Sequence, residues 1–323
     1  MMSAVARRLK PKCSSRASLS STAVPVASSS SSESSIQQHT VTVHSSLSSD
    51  HPIDYARGWA WQQTLLKDRL LLRRLEEHTE DDLDTILLLE HSPVYTLGRG
   101  ADETHIRLDN RDRLARTCRG PGSARLSVDK QLPDDIVSTE QSVDYLSQIA
   151  TPVMAPNGVP IYRIDRGGEV TYHGPGQLVV YPLLDLKRNA LKQDLHWYLR
   201  QVEQVVMDTL QEYDIESTRD EVNTGVWWKQ NESKVAAVGV SSSRWITTHG
   251  FALNVSPQLD YFDTSYILPC GIDGKGVTSM EQILKLQGET QIPTVAQVAK
   301  TVLNKMETVF DMRIEQQTPT EIS

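Results

Sequence analysis

Residues 162–182, reading YRIDRGGEVTYHGPGQLVVYP, restrict the fold of this chain more than any other stretch. Glycines at 167, 168, 174 and 176 and a proline at 175 are packed among Arg166, Thr171, Tyr172, His173 and Gln177. Ile161, Tyr162 and Ile164 precede the run, and Leu178, Val179, Val180 and Tyr181 follow it, so it reads as strand, glycine-rich loop, strand. Glycine has no Cβ, so such a loop lets backbone approach a ligand closely. The polar side chains around it can then fix what lies in the groove. The spacing is neither GxGxxG nor GxxxxGK[ST], which argues against a dinucleotide fold and a P-loop.

The 323 residues suffice for one large domain, but 38% apolar content and a mean hydropathy of −0.38 indicate that part of the length lies outside a core. A formal charge of −8 argues against nonspecific nucleic-acid binding, and no apolar run approaches membrane-spanning length. Cys13, Cys118 and Cys270 are too few and too scattered for a disulfide framework or a CxxC metal site. Residues 1–38 are serine-rich and basic, with no acid before Glu33 and no apolar h-region. They read as a disordered transit peptide, mitochondrial rather than plastid because the leader is short.

Thr40–His44 alternates as a strand, and Tyr55–Glu77 reads as an amphipathic helix. Thr85–His91 is an apolar run suited to a buried strand, and Val94–Arg99 reads as another, stopped by a glycine. Residues 101–157 show little periodicity and read as a disordered insertion, with Cys118 a bystander within it. A second helix is expected from Asn189 to Tyr213. Four short strands follow as a meander: Gly225–Lys229, Lys234–Val240, Trp245–Thr248 and Gly250–Val255. Pro269–Gly276 reads as an irregular loop, Pro293–Met312 as a last helix, and 314–323 as a flexible tail. The sum is one α+β domain over 39–313, a mixed or antiparallel sheet packed with helices.

Cys270 is the cysteine set in patterned sequence, on a loop between Pro269 and Gly271. A nucleophilic thiol needs an activator, because its ordinary pKa of about 8.5 leaves only a few per cent ionised at neutral pH. Lys234, His173 and His249 are candidates, Lys234 because it interrupts an apolar strand at its start. Considered alone, a single cysteine is as readily a small buried hydrophobe, and a lysine at a strand end a surface residue. The two histidines have no metal-ligand spacing with Cys270 or with each other, so no metal is expected. Ala237-Val238-Gly239 and Gly250-Phe251-Ala252 are small-residue strand positions that suit either an apolar ligand chain or close sheet packing.

Together these segments resemble the lipoyl(octanoyl) transferase family. The resemblance is carried by Arg166–Gln177 (RGGEVTYHGPGQ), Leu87–Arg99, Thr224–Trp227, Lys234–Gly239, Thr248–Asn254 and Pro269–Gly271, in that family's order, from about Val41 to Met312. The 101–157 insertion and the N-terminal extension are departures from it. The resemblance implies the fold of lipoate-protein and biotin protein ligases. It also implies Cys270 as acyl-thioester nucleophile and Lys234 as the residue that lowers its pKa and transfers protons. Substrate-binding positions implied in the same way are Arg166, Gly167, Gly168, Glu169, Val170, Thr171, Tyr172, His173, Ala237, Val238, Gly239, Gly250, Phe251 and Ala252. The expected reaction moves octanoate from octanoyl-acyl carrier protein to the lysine of lipoyl domains, in 2-oxoacid dehydrogenase E2 subunits and the glycine cleavage H protein. No cofactor is expected, since the donor carries its own phosphopantetheine, and a monomer is expected. An ATP-dependent lipoate or biotin ligase, and an inactive binder of lipoyl domains or carrier protein, are the competing readings.

Overall fold

The computed structural model describes residues 39–48, 50–75, 84–102, 105–106, 138–148, 150, 152–155, 157–188, 191–263, 266–267 and 275–316. The leader 1–38, most of the insertion, and the segment 268–274 that carries Cys270 lie outside the described residues.

Twelve strands among the described residues form two sheets. The larger begins with β1 (His39–Ser46), β2 (Asp84–Leu89) and β7 (Gln177–Leu183). It continues through β11 (Ile246–Asn254), β10 (Ser233–Ser243), β9 (Val226–Trp228) and β8 (Ser217–Arg219). On its other side β1 pairs in parallel with β12 (Met312–Gln316), giving the order β12-β1-β2-β7-β11-β10-β9-β8. β1 and β2 are also parallel and the pairings from β2 to β8 antiparallel, so the sheet is mixed, as expected. The smaller sheet has the order β4-β5-β3-β6, from Val153–Met154, Pro160–Arg163, Val94–Leu97 and Val170–His173.

Both faces of the large sheet are covered, and strand alternation divides its apolar side chains between them. Ile86, Leu88, Leu178, Val180, Phe251 and Leu253 face a core built with helices α3 (Leu195–Gln211), α4 (Met280–Leu286) and α5 (Val295–Phe310). Leu87, Leu89, Val179, Tyr181, Leu183 and Ala252 face the opposite way. There they meet Tyr55, Trp59 and Trp61 of α1 (Tyr55–Leu75) and Val143 and Leu146 of α2 (Thr139–Gln148). The first half of α1 is buried on nearly all sides, its polar Gln62, Gln63 and Thr64 included. The helix is therefore less one-sided than its charged residues suggest. Arg69 of α1 bonds Asp84 at 3.0 Å, and Asp84 in turn accepts the Asp185 N–H at 3.1 Å, which ties α1 to the ends of β2 and β7.

Several expectations are corrected. The glycine-rich stretch contains a strand, β6, and the tight turn Gly174–Gly176 after it carries the chain from the small sheet into β7 of the large one. The insertion is not structureless throughout, since α2 and β4 fall within 101–157. Val143 and Leu146, three residues apart, anchor α2 to α1, and Arg57 reaches Asp144 at 2.7 Å. α3 starts at Leu195 rather than 189, because the Asp194 side chain accepts the N–H groups of His196 and Trp197 and so caps it there. Trp245–Thr248 and Gly250–Val255 do not make two strands. Ile246–Asn254 is one, pairing with β10 straight through His249 and Gly250 although His249 has φ of 58°. The domain also does not end at 313, for β12 runs to Gln316 and residues 317–323 lie outside the described region.

Phe310, the last residue of α5, is 2% exposed and packs edge-on to Trp197 at 6.3 Å and against Tyr198 at 5.9 Å. Phe310→Ala is expected to cost about 3–5 kcal/mol, read from urea unfolding as a lower midpoint at unchanged slope.

Candidate active site

A pocket of about 220 Å³ opens where the small sheet meets β7, β10 and β11. Its apolar wall is Ile164, Val179, Ala237, Val238, Phe251 and Ala252. The polar side chains reaching it are those of Tyr55, Arg166, Glu169, Thr171, His173, Tyr181, Asn223, Thr224, Lys234 and His249.

The glycine loop is held against this pocket by backbone contact. Gly167 N–H donates to Val240 O at 3.1 Å, Arg99 N–H to Arg166 O at 2.9 Å, and Ile164 N–H to Leu97 O at 2.8 Å. A Cβ on Gly98 would lie 2.0 Å from Gly168 O, and one on Gly239 would lie 2.9 Å from Gly167 O. Those two glycines are therefore required by the close approach of β3 and β10 to the loop. The Arg166 guanidinium closes the arrangement, donating to Thr96 O at 3.0 Å, Thr96 Oγ1 at 2.9 Å and Gly167 O at 2.9 Å.

Lys234 opens β10 and is 6% exposed. Its Nζ donates to Thr224 O at 2.9 Å and lies 4.6 Å from the centre of the Trp227 ring. Gly225, at φ of 125°, lets the 223–226 turn pass beside the lysine stem, since a Cβ there would be 2.7 Å from Ala236 O and 3.1 Å from Lys234 Cε. The fully buried Glu203 of α3 fixes that turn by accepting Gly225 N–H at 3.0 Å, and is itself paired with Arg200 at 2.9 Å. The described chain that resumes at Lys275 is stitched to the same lysine. Lys234 N–H donates to Gly276 O at 2.9 Å, and Thr278 N–H to Lys234 O at 3.0 Å.

Three imidazoles lie at the base of the site, buried among tyrosines. His173 stacks on Tyr55 at 6.1 Å and is 6.1 Å from His91; His249 meets Tyr181 edge-on at 5.6 Å. Burial pushes the pKa of His173 down to about 3, with the neighbouring His91 adding to the effect. Burial and then the Arg166 charge do the same to His249, also to about 3, and burial takes His91 to about 4. All three are held neutral at physiological pH, and the two that line the pocket, His173 and His249, suit hydrogen bonding to a substrate rather than charge pairing. His173 Nδ1 lies 2.8 Å from Gln177 Oε1, Gln177 Nε2 donates to Asn254 Oδ1 at 2.8 Å, and Asn254 Nδ2 donates to Thr278 O at 2.9 Å. This chain joins the glycine stretch to the segment bound to Lys234.

Of the residues expected to bind substrate, Arg166, Gly168, Glu169, Val170, Thr171, His173, Ala237, Val238, Gly239, Gly250, Phe251 and Ala252 line the pocket, and so does Lys234. Gly167 and Tyr172 do not. Alternation along β6 turns Thr171 and His173 toward the pocket and sends Tyr172 into the small-sheet core, where it stacks on Tyr261 at 4.6 Å and meets Phe262 edge-on at 5.3 Å. Cys270 lies outside the described residues. Tyr55, Val179 and Tyr181 also line the site without having been expected; Val179 and Tyr181, two apart on a strand, share the face that a period of two would indicate. Among the described residues no group of three or more His, Cys, Asp or Glu is placed to hold a metal ion, and no helix is long and apolar enough to cross a membrane.

Residues 139–307 match the lipoyl protein ligase A/B catalytic domain family. The octanoyltransferase of Gloeobacter violaceus is 39% identical over 220 residues, covering 68% of this chain and 72% of its own. That of Synechococcus sp. (strain WH7803) is 40% identical over 227 residues, covering 70% and 71%. This chain is a member of the octanoyltransferase family. It is accordingly an acyltransferase of the lipoyl(octanoyl) transferase type, acting in octanoyl transfer for protein lipoylation. An octanoyltransferase of Arabidopsis thaliana, named as chloroplastic, is 33% identical over 277 residues, covering 83% of this chain and 79% of its own. Among solved structures, a lipoate-protein ligase A bound with ATP superposes with a TM-score of 0.53 at 13% identity, covering 88% of this octanoyltransferase-family chain and 91% of its own. A putative lipoate protein ligase from T. acidophilum with bound lipoic acid gives 0.53 at 13%, covering 88% and 90%. At such identities these two establish the shared fold.

The neutral imidazoles make the stability of this octanoyltransferase-family domain acid-sensitive. A histidine whose folded pKa is depressed contributes stability that is complete above its unfolded value near 6.5 and is lost as pH falls toward the folded value. With folded values of about 3 and about 4, each is expected to cost about 2 kcal/mol by pH 5. Urea unfolding should give a flat stability from pH 7 to 8 and a steep fall between 6.5 and 4, shallower in His173→Gln.

Proposed function

We propose that octanoyl-acyl carrier protein is the donor, and that Cys270 carries the acyl group as a thioester before a lipoyl-domain lysine accepts it. The supporting observation is the setting of Lys234: a buried side chain lining a pocket with an apolar wall, its backbone N–H and C=O both bonded to the run 276–278 that follows Cys270 in sequence. On the other side of Cys270 in sequence, the described residue Ile267 pairs with Ile106.

The Cys270 thiolate attacks the thioester carbonyl, and the tetrahedral oxyanion collapses with loss of the pantetheine thiolate, which takes up the proton the cysteine gave. One thioester replaces another, so ATP and a bound cofactor are not needed. The acceptor lysine, with an ordinary pKa near 10.4, then gives up a proton as its nitrogen attacks octanoyl-Cys270. The amide forms and the Cys270 thiol is released. Lys234 serves first as the cation that favours the Cys270 thiolate and then in proton transfer. Arg166 and its glycines, Thr171 and the neutral His173 hold the donor, and Ala237, Val238, Phe251 and Ala252 receive the octanoyl chain. Two protein substrates use one pocket in turn, which corresponds to ping-pong kinetics. The acceptors are lipoyl domains of E2 subunits and the H protein, and the enzyme works as a monomer.

The basic, acid-poor leader supports delivery to an organelle. The proposed destination is the mitochondrion, whereas the printed name of the Arabidopsis relative favours the plastid. Residues 1–38 fused to a fluorescent protein would separate the two.

The decisive experiment is intact mass after incubation with octanoyl-acyl carrier protein and no ATP. One octanoyl group, labile to hydroxylamine, is expected on the wild type and none on Cys270→Ser, with transfer to an added lipoyl domain reduced at least a thousandfold in the variant. Full transfer by Cys270→Ala, or transfer only with ATP and free octanoate, would overturn the scheme.

A further inference from the structure

Trp227, in the middle of β9, is 2% exposed, and two lysines converge on its indole. Lys234 Nζ lies 4.6 Å and Lys275 Nζ 4.8 Å from the ring centre. Both distances fall within the range in which an ammonium is attracted by the negative face of an aromatic ring. The pairing has a backbone origin. Trp227 and Lys234 are opposite one another in the β9–β10 ladder, so their side chains leave the sheet on the same face. The ring is fixed in turn by its Nε1–H, which donates to Asn223 O at 3.3 Å.

Lys275 arrives from elsewhere. It is the first described residue after the segment that carries Cys270, and it heads the run whose backbone bonds to Lys234. Asp220 holds its Nζ at 3.1 Å and Glu232 at 3.5 Å. The Asp220 carboxylate is kept well below the usual range, chiefly by accepting the N–H groups of Val222 and Asn223 and then by Lys275 itself. Val222, Asn223 and Thr224 are pocket wall, and Thr224 O also holds Lys234 Nζ. One indole thus touches the lysine of the site, the turn that walls the pocket and the run beginning at Lys275 that bonds to Lys234.

We propose that Trp227 is a positioning residue for acyl transfer: its ring face fixes the Lys234 ammonium in the pocket and, through Lys275, anchors beside it the described run that begins at Lys275. A hydrogen bond to Thr224 O sets the distance of Nζ from the turn, and the ring sets its direction. A smaller aliphatic side chain would leave Nζ its bond to Thr224 O but remove the ring face that sets its direction. Lys275 contributes the tether, and Asp220 and Glu232 hold it from the solvent side.

This inference rests on Lys234 acting with Cys270, so the test carries a Lys234→Ala arm. The enzyme is assayed for transfer from octanoyl-acyl carrier protein to a lipoyl domain, and Cys270 alkylation by iodoacetamide is followed by peptide mass across pH. Trp227→Leu is expected to lose roughly tenfold in kcat with KM for the donor within about twofold, and to move the rise in alkylation rate to higher pH. Trp227→Phe should recover most of the loss, and Lys275→Met should show a smaller loss with the same signature. If Trp227→Leu does not fold, mono-, di- and trifluorotryptophan at position 227 alone replace it. Each fluorine weakens the negative face at nearly constant shape, so kcat should decline stepwise. Wild-type kinetics in Trp227→Leu, a flat fluorine series, or equal losses in Trp227→Leu and Trp227→Phe would overturn the inference while an inactive Lys234→Ala left the dyad standing. A fully active Lys234→Ala would instead remove the dyad, and this inference with it.

Discussion

The site depends first on a buried cation held by two backbone carbonyls and a hydroxyl. Arg166 is 8% exposed, and its guanidinium bonds Thr96 in the small sheet and Gly167 in the loop, while its stem passes beside Gly239 of the large sheet. A buried charge left without partners would be expensive, so these bonds require the two sheets and the loop to keep one arrangement. Gly98 and Gly239 exist in that arrangement because any side chain would collide with the carbonyls of Gly168 and Gly167. The pocket is therefore preorganised by atoms that make little direct use of their own chemistry.

Beside that clamp, two polar routes converge on Lys234. One passes from His173 through Gln177 and Asn254 to Thr278, and the other from Glu203 through Gly225 to the turn beside Lys234. Both reach Lys234 from opposite sides of β10. Networks of this kind are worth most where every member is satisfied, and they hold geometry at low dielectric better than isolated contacts do. The neutral imidazoles fit the same logic, since a charged ring at His173 or His249 would face Arg166 across the pocket.

Much of this was legible from residue pattern. Apolar runs such as Thr85–His91 marked strands buried on both faces, and the polar-glycine density of 166–177 marked the loop at the pocket. What pattern did not disclose has physical causes. β6 was hidden because its four residues sit between two glycine pairs and read as loop, although Thr171 and Tyr172 are good strand formers. That concealment also misplaced Tyr172, whose direction depends on knowing that it lies on a strand. α2 has only Ser142, Val143 and Leu146 buried, too short a stripe to stand out from the charged sequence before it. The glycine after His249 looks like a strand end, yet its ladder continues because Gly250 approaches Val180 O so closely that no larger residue would fit. Trp227 fell within Thr224–Trp227, one of the segments that carry the family resemblance, but its residue pattern gave it no role of its own, since a tryptophan in a short apolar strand is ordinary core.

The pairing of β12 with β1 has a consequence for how the chain acquires its structure. β1 lies between β12 and β2, and it begins the described domain while β12 ends it, with His39 opposite Met312. The large sheet is incomplete at that edge until the last strand has left the ribosome. Contacts so distant in sequence pay their loop-closure entropy before they return any stability, which slows folding. A nascent chain of this design stays open to chaperones and translocation for longer than one built from local contacts, and a truncation near its C-terminus would expose the backbone edge of its first strand.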